Sequence, residues 1–215
     1  MVKLIHDYFN LRHYGGKLME HFKELAPGIV VANNIGEGMD YIKHVEANIA
    51  NGTMAWVPHN KKHIKEDENK KAMDTMYIRN VRRWGLQGDE PTPKELAHEY
   101  LFNRFDRDFV HVIESYIQRY KVPCSQREDY EILKYGPGNF FIDHVDDGLY
   151  MTRKVSLVYY FNDDYEGGEI HFPQFDVTIK PKAAQLILFP ASYIYNHNVE
   201  EVRSGTRYSM VNWLK

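Results

Sequence analysis

From Asp129 to the C-terminus the chain is cut into short runs rich in Val, Ile, Tyr and Phe, at 130–135, 155–162, 168–172, 177–180, 185–189 and 207–214, each bounded by Gly, Pro, Asn or Asp. Runs of this length and composition read as strands. No helical pattern separates them, which argues against a parallel α/β sheet and for a sandwich or barrel. The expected fold is mainly β with supporting helices, a double-stranded β-helix (jelly roll, cupin-like) core packed against N-terminal α-helices.

The first half reads differently. Gly28-Ile29-Val30-Val31-Ala32-Asn33 has the form of a strand, and Met39, Ile42, Val45 and Ile49 then recur at helical spacing. Residues 58–74 are dominated by Lys, Glu, Asp and Asn without an apolar period, so the wider stretch 57–92 is expected to hold an exposed loop or flap. Thr92-Pro93-Lys94-Glu95 matches a capping box with Pro at the first helical position. Leu96, Tyr100, Phe105, Phe109, Val112, Tyr116 and Tyr120 follow at helical intervals, predicting one long amphipathic helix that ends before Pro123. One domain over 1–215 is expected, with 1–128 as support and 129–215 as the core that carries chemistry.

A chain of 215 residues with 43% hydrophobic and 27% charged residues can bury one sizeable core. Its net charge of −3 gives no general pull toward nucleic acid or an anionic membrane. The single cysteine, Cys124, excludes an intramolecular disulfide framework and a cysteine-rich zinc site, and suits a reducing compartment. The N-terminus lacks an apolar stretch of signal-peptide length, and no window approaches the roughly 18 apolar residues that span a bilayer. A cytoplasmic protein with no membrane or nucleic-acid partner is expected.

His144 and Asp146 stand two residues apart, so on an extended strand both side chains leave one face. His197 arrives about fifty residues later at the start of a late strand, which antiparallel topology can bring opposite the first pair. Two His and one carboxylate on one side of an octahedron leave the other side open, the facial triad of non-haem Fe(II) oxygenases. Alone, His-x-Asp is commonplace, and two of 11 histidines would ordinarily lie at the surface or in the core. Ten residues beyond His197 stands Arg207, at the opening of a core strand. A buried guanidinium needs an anionic partner, and its planar fork suits a carboxylate. On the strand over 155–162, alternation puts Ser156, Val158 and Tyr160 on one face, adding a phenolic donor.

These residues sit within a longer series: Tyr135-x-x-Gly138-x-x-Phe141-x-x-His144-x-Asp146, Asn162-Asp163-Asp164-Tyr165-Glu166-Gly167-Gly168-Glu169-Ile170-x-Phe172-Pro173, Leu188-Phe189-Pro190, His197-x-Val199 and Ser204-Gly205-x-Arg207-Tyr208-Ser209. In this order and spacing the series resembles the catalytic domain of the prolyl 4-hydroxylase type of Fe(II)/2-oxoglutarate dioxygenases. The resemblance covers about two-fifths of the chain, 129–215, with a weaker echo at 28–50. It implies His144, Asp146 and His197 as iron ligands and Arg207 as the partner of the distal carboxylate of 2-oxoglutarate. It further implies Tyr160 as a hydrogen-bond donor to that carboxylate, Tyr135 and Ser209 as pocket residues, and Val158, Ile170 and Val199 as apolar walls, which ordinary core packing would explain equally. The implied cofactor is Fe(II), with 2-oxoglutarate and O2 as co-substrates and ascorbate as an accessory.

The implied reaction hydroxylates a C–H bond, of a prolyl residue in a protein or peptide, with succinate and CO2 as co-products. Phe141 stands where the family often has Tyr, Ala183-Ala184 where a glycine is common, and the connection from Asp147 to Lys154, a substrate-binding region in the family, is short. Hydroxylation of a free amino acid or other small molecule is the first alternative, and a non-catalytic jelly-roll module that binds metal or sugar is the second. Nucleic-acid demethylation ranks lower, given the acidic balance. Trp56, Arg79, Arg82, Arg83 and Trp84 bracket the polar stretch and suggest a lid over a peptide or anion; a solvated basic turn with two packing tryptophans fits as well.

Overall fold

The computed structural model describes residues 22–58, 73–81, 90–149 and 152–215. In chain order the elements are β1 (Phe22–Ala26), β2 (Ile29–Ala32), α1 (Met39–Ala50), β3 (Val57–Pro58), β4 (Asp74–Ile78), α2 (Pro93–Tyr120), β5 (Tyr130–Tyr135), β6 (Phe141–His144), β7 (Val155–Tyr160), β8 (Glu166–Gly167), β9 (Ile170–Phe172), β10 (Val177–Ile179), β11 (Gln185–Pro190), β12 (His197–Val199), β13 (Val202–Ser204) and β14 (Arg207–Leu214). An eight-stranded sheet runs β1-β2-β11-β7-β14-β5-β4-β3, and a four-stranded sheet runs β10-β9-β12-β6. Every pairing in them is antiparallel. This is the double-stranded β-helix expected from the strand-rich second half.

The helices cover one face of the large sheet. Thr92 caps α2 reciprocally with Glu95: its hydroxyl accepts from the Glu95 N–H at 3.2 Å, and the Thr92 N–H donates to Glu95 Oε2 at 2.8 Å. The helix stops at Lys121, which takes a left-handed conformation two residues before Pro123. Leu101, Phe105, Phe109, Val112 and Tyr116 form its buried stripe. They pack, with Tyr41, Ile42 and Val45 of α1, on Ile132, Leu157, Tyr159, Leu188 and Met210 of the sheet. Alternation sends the neighbouring residues Val158, Tyr160 and Ile187 to the opposite face, where they meet Ile170, Phe172 and Ile179 of the small sheet. The space between the two sheets holds the site.

The first half contributes more strand than its sequence suggests. β1 pairs with β2, β2 joins β11, and β4 pairs with β5 along Asp74 to Ile78. The expected loop over 57–92 is therefore corrected at both described ends. Val57–Pro58 and Asp74–Ile78 form a sheet edge because Met76 and Ile78 turn into the helix-facing core while Tyr77 turns toward the small sheet. Residues 59–72 and 82–89, including Arg82, Arg83 and Trp84, lie outside the described residues. Trp56 does not close over a cleft: it packs against Tyr208 on the helix side of the large sheet, and its indole donates to Glu46 at 3.2 Å. Among the described residues no helix is long and apolar enough to cross a membrane.

Candidate metal centre and active-site cleft

β6 and β12 are antiparallel neighbours whose register sets His197 opposite His144. This pairing joins histidines far apart in the chain. Asp146 arrives by another route than strand alternation, because β6 ends at His144 and Asp146 occupies the bend that follows. The bend is tied down by the Asp147 N–H donating to Ala191 O at 3.0 Å, and Ser156 Oγ donates to Asp146 Oδ2 at 2.6 Å. His144 Nε2 stands 3.6 Å from Asp146 Oδ1, and His197 Nε2 stands 3.8 Å from Oδ2. One ligand atom from each residue lies within 4.8 Å of the others, a spacing that one ion can fill.

The protonation pattern suits a metal. His144 Nδ1 lies 2.9 Å from Ile142 O and His197 Nδ1 lies 3.0 Å from Tyr195 O. A carbonyl only accepts, so each Nδ1 carries a hydrogen, which leaves Nε2 as the nitrogen that turns to the centre and can ligate. Burial, reinforced by His144, lowers the His197 pKa and keeps that ring neutral. Burial alone would raise Asp146, but the charge that His197 and His144 carry when protonated, and hydrogen bonds from Ser156 and Trp213, lower it. Two imidazoles with Nε2 turned inward and one carboxylate are the donor set of the facial triad.

A cleft of about 410 Å³ runs from the triad to Arg207. Tyr135, Val158, Ile170, Val199 and Ser209, all singled out in the sequence, line it together with the triad. Arg207 is 1% exposed. Its Nε donates to Gly168 O at 3.1 Å, its Nη1 donates to Ser209 Oγ at 2.7 Å, and its guanidinium lies 4.7 Å from the Tyr135 ring centre and 4.9 Å from that of Tyr160. No carboxylate pairs with it among the described residues. Tyr160 flanks the guanidinium and is not one of the cleft-lining residues. Its hydroxyl is buried without a hydrogen-bond partner. Burial raises its pKa, and the charge of Arg207 opposes that rise.

Several functional groups escaped sequence reasoning. Trp213 lies on the same inward face of β14 as Arg207, Ser209 and Val211, so alternation from Arg207 would have found it. Arg153 lies 3.5 Å from the Trp213 ring centre and grips Glu128 with two bonds of 2.9 and 2.7 Å. Met73, Tyr77 and Glu131 also line the cleft; Met73 is buried against Leu133 and Tyr135, and Thr75 Oγ1 donates to Glu131 Oε1 at 2.6 Å. Tyr165 stands near Arg207 with a buried, unpartnered hydroxyl. No local pattern marks that proximity.

Residues 130–215 match the family model described as the 2OG-Fe(II) oxygenase superfamily. A prolyl 3-hydroxylase 2 from Homo sapiens is 36% identical over 69 residues, which are 30% of this chain and 10% of that protein. A PKHD-type hydroxylase from Crocosphaera subtropica is 30% identical over 90 residues, 38% of this chain and 40% of the relative. The chain thus spans less than half the length of these curated relatives. In fold it is similar to the viral collagen prolyl hydroxylase of Paramecium Bursaria Chlorella virus-1, solved as a 2OG complex, with a TM-score of 0.58 at 16% identity over 87% of this chain and 94% of that one. The motif series, the triad geometry and the family match meet in one segment, and residues 130–215 are identified as a 2OG-Fe(II) oxygenase domain similar to the small prolyl 4-hydroxylase-like form.

Proposed function

We propose that this protein is an Fe(II)- and 2-oxoglutarate-dependent dioxygenase that hydroxylates a C–H bond of a prolyl residue in a protein or peptide. One observation carries the reading: a His-Asp-His triad with its ligand atoms converging shares a cleft with a buried guanidinium that has no carboxylate partner among the described residues. His144, Asp146 and His197 would hold the iron, and Arg207 would pair with the distal carboxylate of 2-oxoglutarate. When bound, iron supplies reactivity toward O2 and the coupled conversion of 2-oxoglutarate to succinate and CO2.

The chain's own groups do the rest. The Ile142 and Tyr195 carbonyls fix the histidine tautomers, and Ser156 orients Asp146. Tyr135, Val158, Ile170 and Val199 exclude water around the co-substrate, and Ser209 holds the Arg207 fork in place. The substrate enters over Tyr77, Glu131, Trp213 and Val145, on the side of the cleft away from Arg207. A peptide is favoured by the apolar rim there, where Val145, which lines the cleft, is 39% exposed. Such a rim offers contacts beyond the reach of a free amino acid.

Anaerobic addition of Fe(II) and 2-oxoglutarate is expected to give a visible charge-transfer band, and proline-containing peptides are expected to gain the mass of one oxygen on admission of air. A folded protein that binds Fe(II) without developing the band would overturn the assignment. Oxygen gain by free amino acids alone would move the substrate to the small-molecule alternative.

A further inference from the structure

Beside Arg207, behind the residues that line the cleft, stands a group without a role. Tyr165 is 6% exposed, and its hydroxyl, like that of Tyr160, is buried without a hydrogen-bond partner. The turn that carries it is fastened to the start of β14: Asn162 Nδ2 donates to Thr206 O at 2.7 Å, and Asn162 Oδ1 accepts from the Tyr208 N–H at 2.9 Å. Tyr165 and Arg207 are thereby held on one rigid unit.

Gly168 lets them close on each other. A Cβ on Gly168 would stand 2.8 Å from Arg207 Cδ and 3.1 Å from Tyr165 Cε2, and the residue has φ of +68°. Any side chain there would push the arginine stem and the phenol ring apart. Burial raises the Tyr165 pKa and Arg207 opposes that rise, so the phenol keeps its proton beside a cation. The Arg207 guanidinium at the cleft wall and two protonated phenols beside it form a cluster rich in donors, and buried donors call for an acceptor. A carboxylate, with about four lone-pair sites, can serve all three at once.

We propose that Tyr165 donates a hydrogen bond to the distal carboxylate of 2-oxoglutarate, so that the anchor is Arg207 flanked by two phenols, Tyr160 and Tyr165. The assignment rests on the co-substrate reading above. It also makes Gly168 a requirement of the anchor and not only of the turn.

The test compares two keto acids on Tyr165→Phe. 2-Oxopentanoate has the keto acid end of 2-oxoglutarate and lacks its distal carboxylate. Dissociation constants are measured anaerobically on Fe(II)-loaded protein from the charge-transfer band, and checked by the shift in melting temperature that each keto acid produces. Tyr165→Phe is expected to weaken 2-oxoglutarate about tenfold, the loss of one hydrogen bond to a charged group, while leaving 2-oxopentanoate and Fe(II) affinity unchanged. Equal weakening of both keto acids, or unchanged 2-oxoglutarate affinity, overturns the assignment. Tyr165→Met, which fills the space without a hydroxyl, gives the same comparison should the Phe variant fold poorly. A wild-type protein that develops no band with either keto acid sinks the co-substrate reading itself, a result distinct from a wild-type band that the variant leaves unaltered.

Discussion

The two faces of the large sheet are built from the same strands and solve opposite problems. On the helix side, the tyrosine hydroxyls that enter the core find partners: the Tyr159 hydroxyl accepts from the Gly38 N–H at 3.0 Å and donates to Ile35 O at 2.7 Å, and Tyr116 donates to Gly28 O at 2.8 Å. On the cleft side, one residue further along β7, the Tyr160 hydroxyl has none, and Arg207 on β14 lacks a carboxylate. The helix face is an apolar core, stabilised by burial and by aromatic pairs such as Phe105 on Phe109 at 5.8 Å. The cleft face has donors set out for a guest. Unmet hydroxyls beside a buried guanidinium mark where binding free energy is held in reserve.

The contrast can be broken from either face. The largest effect is expected at the triad: His144→Ala, Asp146→Ala and His197→Ala should each abolish substrate-dependent succinate formation while leaving the far-UV spectrum and melting profile close to wild type. Wild-type-like turnover in any one of them would refute the ligand assignment. On the helix face the pattern should invert. Phe105→Ala removes a fully buried ring and is expected to cost about 3–5 kcal/mol in denaturant unfolding. Protein that stays folded should retain its affinity for 2-oxoglutarate; a stability loss below about 1 kcal/mol would mean that the α2 stripe is not the core described above. The smallest effect belongs to Arg207→Ala, expected to weaken 2-oxoglutarate by about 1.5–3 kcal/mol, the range for hydrogen bonds to charged groups, with Fe(II) affinity retained. Unchanged 2-oxoglutarate affinity would place the anion elsewhere in the cleft.

The sequence carried what local periodicity can carry. The capping box at Thr92 and Glu95, the spacing of Phe105, Phe109, Val112 and Tyr116 and the stop before Pro123 are consequences of neighbours along the chain, and α2 follows them. Leu96 and Tyr100, read into the same stripe, are exposed, and Leu101 takes the buried place. Alternation placed Val158 and Tyr160 on one face and Tyr159 on the other, and the packing agrees. The short pairs β3, β8 and β13 were missed because two or three residues give no period to read. β4 was missed because its five residues adjoin a long polar run.

What only the tertiary structure decided are the relations across space. The register of β12 on β6 sets His197 against His144, and a bend held by Ala191 and Ser156, not a strand, aims Asp146 at them. Tyr165 reaches the surroundings of Arg207 because Asn162 ties one turn to another strand and Gly168 has no side chain. Hydrophobic alternation is a property of consecutive residues and survives in the sequence alone. Convergence on a metal or an anion depends on pairing, bends and close approach between distant segments, which no local period encodes.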